Sequence, residues 1–544
     1  MKFNYSKEQL SDTEKKIQRL FEMVPGLLSW SILLFLIVLS ILKPLLAMVV
    51  ILAFDFYWLL RLLYMTIFLV LSFGRLRIES KADWMKRIKA IENIDQSLKD
   101  FNKLPSSNFN NRLSDYIHKQ EMLNLKKSGT PAVDSKSIYH LVILPVAKEP
   151  KEVLIPSVES LKGQTFPIKQ IMVFLTVEET APGQIKTDLL SLENIYKNYF
   201  LDFKVMIHPT GLKNEAQVKG ANASWAAKKA AQFFKTIEIP FENITVSCFD
   251  ADTIVGKDYF ACLTYYFMVT PQRLQASFQP IPVYHNNIWD VPGFARIIET
   301  GSSFFQMIES SNPEKLVTFS SHSMSFKALV DINYWPTDMI SDDSAIFWKS
   351  FIHYDGKFSV IPMYITVSMD ITSSKNLLGT IKSVYKQKRR WAWGAENFPI
   401  VMRAFISQKG IPLFSKVKHG FKLLESHVSW ATWGFILTIL SWLPTFLAKR
   451  EITNSIVYYN APYISRMIFH LASISLIISI ILSLLLLPKK KIKNSFLKKT
   501  LFALEWLMMP LILMFLSTLP ALDAQTRLLF GKRMKFWVAN KRKA

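Results

Sequence analysis

The sequence predicts an α/β domain built on a mainly parallel sheet and flanked by transmembrane helices at both ends. Three observations carry that expectation. Apolar text gathers towards both ends of the 544 residues, strand-like runs alternate with helix-like spacers between them, and two carboxylates stand where one such run stops. A hydrophobic content of 50% and a mean hydropathy of +0.18 leave room for one large soluble domain and several spans.

Residues 1–25 read as a cytoplasmic tail. Residues 26–42 are apolar up to Lys43-Pro44, and 45–73 continue with only Asp55 and Arg61 interrupting, which predicts a transmembrane hairpin over 26–73 that turns at the Lys-Pro pair. A cleaved signal peptide fits poorly, because the apolar stretch starts late, runs long and lacks a small-residue cleavage site. Residues 74–137 mix charged helical text with Leu104-Pro105-Ser106-Ser107-Asn108 and Ser128-Gly129-Thr130-Pro131, and read as a linker with packing helices.

Strand-like runs recur at 138–146, 171–177, 203–208 and 244–249, with helix-like spacers at 152–162 and 216–235. They define an α/β domain over 138–400, followed by an interfacial segment at 401–428. Three further apolar runs, 429–447, 467–487 and 500–519, fill a C-terminal membrane block over 429–520, and 521–544 form a basic tail.

Lysine and arginine exceed the acids by +24, which would suit phosphate binding along a nucleic acid. The surplus instead clusters beside apolar segments, at Lys489-Lys490-Lys491, Lys498-Lys499 and 532–543, where it marks a cytoplasmic face and attracts anionic lipids; no nucleic-acid partner is expected. The same bias puts the domain at 138–400 inside and 449–466 outside. A full span at 500–519 would export the basic tail, so either Pro510 and Pro520 bracket a bent, re-entrant or interfacial segment or the tail breaks the charge rule. Two cysteines, Cys248 and Cys262, suggest neither a disulfide framework nor a thiolate metal site.

Asp250-Ala251-Asp252 ends the run at 244–249, and beyond the carboxyl ends of strands is where open α/β sheets bind ligands. Paired carboxylates there suit a hard divalent cation such as Mg²⁺ or Mn²⁺, although solvated loop acids would read the same way alone. Ser341-Asp342-Asp343 follows, where the plain alternative is an N-cap serine with acids favoured by the helix dipole. Gln387, Arg390 and Trp391 then stand at i, i+3 and i+4, so on a helix from about Asn376 they share one face. An interfacial helix is the competing reading, with Trp391 and Trp393 anchored at the headgroups.

That ordered set over residues 138–400 resembles the membrane-bound family 2 glycosyltransferases, the group of cellulose, hyaluronan, chitin and poly-N-acetylglucosamine synthases. Arg390-Trp391-Ala392-Trp393-Gly394 is similar to the family's R-W-A-x-G continuation, and Val218-Lys219-Gly220-Ala221-Asn222-Ala223 to its lysine and asparagine element. Pro145-Val146-Ala147-Lys148-Glu149 departs from the usual P-x-Y-N-E, and Leu175-Thr176-Val177-Glu178-Glu179 from the usual aspartate pair.

The resemblance implies a GT-A-like domain that transfers a sugar with inversion from a nucleotide-sugar donor to a growing polysaccharide. It implies Asp250 and Asp252 as ligands of Mg²⁺ or Mn²⁺ and as donor contacts, Asp343 as the catalytic base, and Lys219 and Arg390 at the diphosphate. Gln387, Arg390 and Trp391 would line the acceptor site. For Lys219 a solvated helix-start lysine is an equal alternative. His322, with no partner at metal-ligand spacing, reads as a structural hydrogen-bonder. Transfer of a single sugar to a membrane lipid, or a non-enzymatic scaffold or pore, are the competing functions.

Overall fold

The computed structural model describes residues 3–8, 10–101, 109–447, 455–488, 500, 504–535 and 537. The motif at 104–108, the clusters at 489–491 and 498–499 and most of 532–543 lie outside the described residues.

Two long helices open the chain, α1 (Asp12–Leu42) and α2 (Pro44–Glu79). α1 starts ahead of the expected residue 26 because Ser11 and Glu14 form a reciprocal capping box, each taking the other's backbone N–H. Pro44 sits in the first turn of α2, where a missing N–H costs nothing, so the hairpin turns at Lys43 as the Lys-Pro pair predicts. Helices Trp84–Glu92, Ile94–Phe101 and Phe109–Ser128 fill the expected packing region. A buried ion pair at 2.6 Å between Arg87 and Glu79 ties the first of them to α2.

The strands are β1 (Tyr139–Val146), β2 (Ile171–Glu178), β3 (Asp202–His208), β4 (Ile244–Cys248), β5 (Ile254–Val255), β6 (Ala276–Val283), β7 (Ser323–Ser325) and β8 (Ser359–Ser368). They form one mixed sheet in the order β3-β2-β1-β4-β7-β6-β8-β5. β1 to β4 run parallel, as the βαβ text predicts. β7 enters antiparallel between β4 and β6, β6 pairs parallel with β8, and the short β5 closes the edge antiparallel to β8.

Because side chains alternate across a strand, each parallel strand feeds two cores. Leu141, Ile143, Met172, Phe174, Ile244 and Val246 face the Lys219–Thr236 helix on one side, whereas Val142, Leu144, Val173 and Leu175 face helices such as Tyr259–Val269 on the other. The first of these cores also takes in Leu33, Leu36 and Ile51 of the hairpin with Ala431, Ala521 and Leu522, so the sheet domain and the apolar helices of both ends share packing.

Among the described residues four helical runs are long and apolar enough to cross a membrane: Asp12–Leu42, Pro44–Glu79, Tyr458–Leu486 and Trp506–Leu529. The expected run at 429–447 is not a separate straight helix. It is the end of the Leu413–Phe435 helix, which widens into a π turn over Ile436–Leu440 and stops in the short Leu443–Leu447 helix. The described part of 500–519 belongs to a longer, segmented run with a second π turn at Met514–Thr518 and with Pro510 and Pro520 each in the first turn of a helical piece.

α1 crosses the Leu519–Leu529 helix at Gly26, where a Cβ would stand 2.8 Å from the Gln525 carbonyl oxygen and 2.9 Å from the Leu529 Cβ. Backbone on one side leaves nothing to move aside. Gly26→Val is therefore expected to push the two helices apart and lower the unfolding free energy by about 1–3 kcal/mol, the usual range for overpacking, read as an earlier thermal transition of the detergent-purified protein.

Candidate active site

β4 delivers Asp250 and Asp252 beyond the carboxyl end of the parallel half of the sheet, and the two carboxylates turn different ways. Asp250 lines a cavity of about 1000 Å³. Its Oδ1 lies 2.9 Å from the Lys219 ammonium and its Oδ2 accepts from the Ser320 hydroxyl at 2.6 Å. Ser321, beside Ser320, has a φ of 60°, the kind of strained backbone that collects at sites. Asp252 is buried behind Asp250, where its Oδ2 accepts the N–H of Asp370 at 2.8 Å.

Lys219 opens the Lys219–Thr236 helix and, 11% exposed, is a largely buried ion-pair partner rather than a solvated helix-start lysine. Its ammonium lies 2.9 Å from both Asp250 and Asp343. Burial alone would make the ammonium give up its proton, but the carboxylates of Asp250 and Asp343 overcome that and hold its pKa well above the ordinary value. The helix start reaches the acids because the next residue has no side chain: a Cβ on Gly220 would stand 2.5 Å from the Pro336 carbonyl oxygen and 3.1 Å from the Asp342 Cβ.

Asp342 and Asp343 form the first turn of the Asp342–His353 helix. Asp343 lines the cavity beside Lys219, while Asp342 is 3% exposed, and burial followed by the neighbouring Asp343 charge pushes its pKa up to about 8. Ser341 is not the expected side-chain cap. Its hydroxyl donates instead to Glu396 Oε1 at 2.8 Å, and the same oxygen accepts the N–H groups of Ile340 and Ser341 at 3.0 and 2.9 Å. Glu396 Oε2 accepts the Trp393 indole N–H at 2.8 Å.

Asn376 caps the Leu377–Ala392 helix by accepting the Gly379 N–H, and this helix presents Gln387, Arg390 and Trp391 to the same cavity. Phe319 meets the Trp391 ring edge-on at 5.6 Å. The Lys388 ammonium stands 3.7 Å from that ring's centroid, held there by Glu299 at 2.9 Å. Gln387 is buried, and its Oε1 has no hydrogen-bond donor among the described residues. Trp393 is fully buried and so is no headgroup anchor. His322 is buried and neutral, its pKa lowered by burial to about 4, with Nδ1 at 3.0 Å from the Phe319 carbonyl oxygen, the structural role its sequence setting suggests.

Among the described residues no three His, Cys, Asp or Glu side chains gather closely enough to hold a metal ion by themselves. The donor set still suits one. The Lys219 ammonium between Asp250 and Asp343 demonstrates a carboxylate-lined space that takes a cation, and a hard ion that draws its remaining oxygens from substrate phosphates needs only one or two protein carboxylates.

The cavity thus collects Lys219, Asp250, Asp343, Gln387, Arg390 and Trp391, whereas Asp252 is hydrogen-bonded to the Asp370 amide and does not line it. It also collects groups that the sequence did not flag: Ser320, Asp370 and Lys388, with Glu396 supporting the rim. Away from the acids the cavity runs on between apolar helices, past Trp58 and Arg61 of α2 to Trp433 and Ser475.

A family model described as glycosyl transferase family group 2 matches residues 245–521, just over half of the chain, and the protein belongs to that family. With its mostly parallel sheet and its carboxylates beyond β4, the domain is GT-A-like. The poly-beta-1,6-N-acetyl-D-glucosamine synthase of Staphylococcus aureus (strain COL) is 30% identical over 176 residues, which are 31% of this chain and 39% of that protein. The synthase of the same name from Staphylococcus epidermidis is 26% identical over 234 residues, 42% of this chain and 51% of that protein. The chain therefore matches only about two fifths to one half of the length of these relatives. Looser structural likenesses are to the mannosyltransferase PcManGT from Pyrobaculum calidifontis in complex with GDP-Man and Mn²⁺ (TM-score 0.41, 12% identity, 76% of this chain and 99% of that one) and to S. aureus TarS 1–349 in complex with UDP (TM-score 0.35, 11% identity, 62% and 90%).

Glu396 gives the site a pH signature. Burial pushes its pKa up to about 7 against the four hydrogen bonds it accepts, so its contribution to stability is complete below the ordinary value of 4.5 and is lost as pH rises through about 7. Wild-type stability is expected to fall between pH 5 and 8 by up to about 3 kcal/mol from this group, at about 1.36 kcal/mol per pKa unit. Glu396→Gln should flatten that slope in a series of thermal melts.

Proposed function

We propose that this protein is an inverting glycosyltransferase that moves a sugar from a nucleotide-sugar donor to a growing polysaccharide at the membrane. The observation that carries the reading is the single cavity that starts at Asp250, Lys219 and Asp343 and continues between apolar helices, so that a chain extended at the acidic end has a path into the membrane region. The relatives named as poly-N-acetylglucosamine synthases make a nucleotide-activated N-acetylglucosamine the first donor to try.

In this reading Asp343 takes the proton of an acceptor hydroxyl as its oxygen attacks the anomeric carbon, and the bond from that carbon to the diphosphate breaks. Inversion follows from a single displacement without an enzyme nucleophile. The Lys219 ammonium, already shared between Asp250 and Asp343, turns to the donor diphosphate, which frees Asp343 to act as base. Arg390 adds charge to the leaving group, Gln387 Oε1 receives an acceptor hydroxyl, and Trp391 stacks on the apolar face of the acceptor ring. A Mg²⁺ or Mn²⁺ would be held by Asp250, the one of the two carboxylates that lines the cavity, and would neutralise the departing diphosphate, while Asp252 stays hydrogen-bonded to the Asp370 amide. The catalytic domain faces the cytoplasm, and the Leu413–Phe435 helix lies at the bilayer surface, its exposed Leu413, Phe414, Val417 and Phe421 turned to lipid.

The test is to incubate the purified protein in vesicles with a panel of radiolabelled nucleotide sugars and size the product. A high-mass, glycosidase-sensitive polymer is expected, abolished by EDTA and restored by Mg²⁺ or Mn²⁺. Asp343→Asn should lower kcat by about 10²–10⁴-fold, as loss of a general base does, with donor affinity preserved. A one-sugar, organic-extractable product would establish the lipid-acceptor reading instead, and no transfer from any donor would leave the scaffold.

A further inference from the structure

The residues that lead into the Asp342–His353 helix decide where Asp343 stands, and they are gripped by backbone from the other end of the chain. Asp338 is 4% exposed, and its carboxylate is filled by two amides more than three hundred residues away: the Tyr5 N–H donates to Oδ1 at 3.1 Å and the Ser6 N–H to Oδ2 at 2.7 Å. Arg533 donates to the Asp338 carbonyl oxygen and lies 4.7 Å over the Tyr5 ring. The Tyr5 ring stands 6.5 Å from that of Trp393, whose indole N–H donates to Glu396. Glu396 in turn receives the Ile340 and Ser341 amides. A buried carboxylate tolerates its site only while donors fill it, so removing either amide leaves Asp338 under pressure to move.

We propose that residues 3–6 form a positioning strap for Asp343: through Asp338, and through Tyr5 against Trp393, they fix the loop that carries the base. The strap lies outside residues 245–521, the part matched by the family model. It acts through other residues and touches no reacting atom. This inference rests on the proposed role of Asp343, but its geometry does not.

The test uses the full chain in detergent. Ser6→Pro removes the donating N–H, and Ser6→Ala keeps it while removing the hydroxyl. Ser6→Pro is expected to speed amide exchange at residues 339–344 and to lower kcat roughly tenfold or more, within the ~10²-fold that a 1 Å misplacement costs. Donor KM and nucleoside diphosphate affinity should stay within about twofold, because the strap orients the base and does not bind the donor. Ser6→Ala should match wild type in every readout. If Ser6→Pro does not fold, the shape-preserving Asp338→Asn is read instead, with the same pattern expected. Exchange and turnover like wild type would overturn the strap, as would a loss of turnover matched by lost nucleotide affinity or by faster exchange across the whole sheet. A wild type that transfers no sugar would defeat the proposed function, and the exchange measurement would still decide the strap.

Discussion

One buried ammonium holds this site together. Lys219 stands 2.9 Å from Asp250 at the end of β4 and 2.9 Å from Asp343 on the helix across the crevice, and its charge offsets the repulsion between the two carboxylates. With the ammonium 11% and the carboxylates 29% exposed, removing the lysine would leave two like charges facing each other across the crevice and destabilise the site. The lysine is therefore part of the folded site before any substrate arrives. The close approach at Gly220 lets the helix bearing it reach that position.

Around this pair the sheet and the membrane helices act as one frame. The parallel half aims β4 at the crevice, the antiparallel β7 brings Ser320 and Ser321 alongside Asp250, and the Leu377–Ala392 helix closes the other wall with Gln387, Arg390 and Trp391. Lys388 and Glu299 form a buried pair beneath the Trp391 ring and fix its plane. Apolar residues of the hairpin and of the Leu519–Leu529 helix enter the same core as β1 and β4.

Much of this was legible in the sequence because it is written in local pattern. The four parallel strands fall within a residue or two of the runs that alternation marks, Pro44 fixes the hairpin turn, and Asn376 caps the helix that puts Gln387, Arg390 and Trp391 on one face. What the sequence hid depends on contacts between distant segments. Ser341 looks like a cap, but Glu396, more than fifty residues on, takes its hydroxyl. Trp393 looks like an interfacial anchor but is buried against that same carboxylate. Asp370 carries no motif and meets Asp252 only because β8 ends beside it. The apolar run at 429–447 gives no local sign of the π turn that interrupts its helix, since hydropathy reports burial and not backbone path.

The central claim is that the cation shared by Asp250 and Asp343 is handed to the donor diphosphate. Its most direct test is the affinity of nucleoside diphosphates, measured by calorimetry with Mg²⁺ present, for the wild type and for a folded Lys219→Met protein. A loss of about tenfold or more, some 1.4 kcal/mol, is expected from removing one charge-assisted contact. An unchanged affinity would contradict the account and reduce Lys219 to a structural counter-ion.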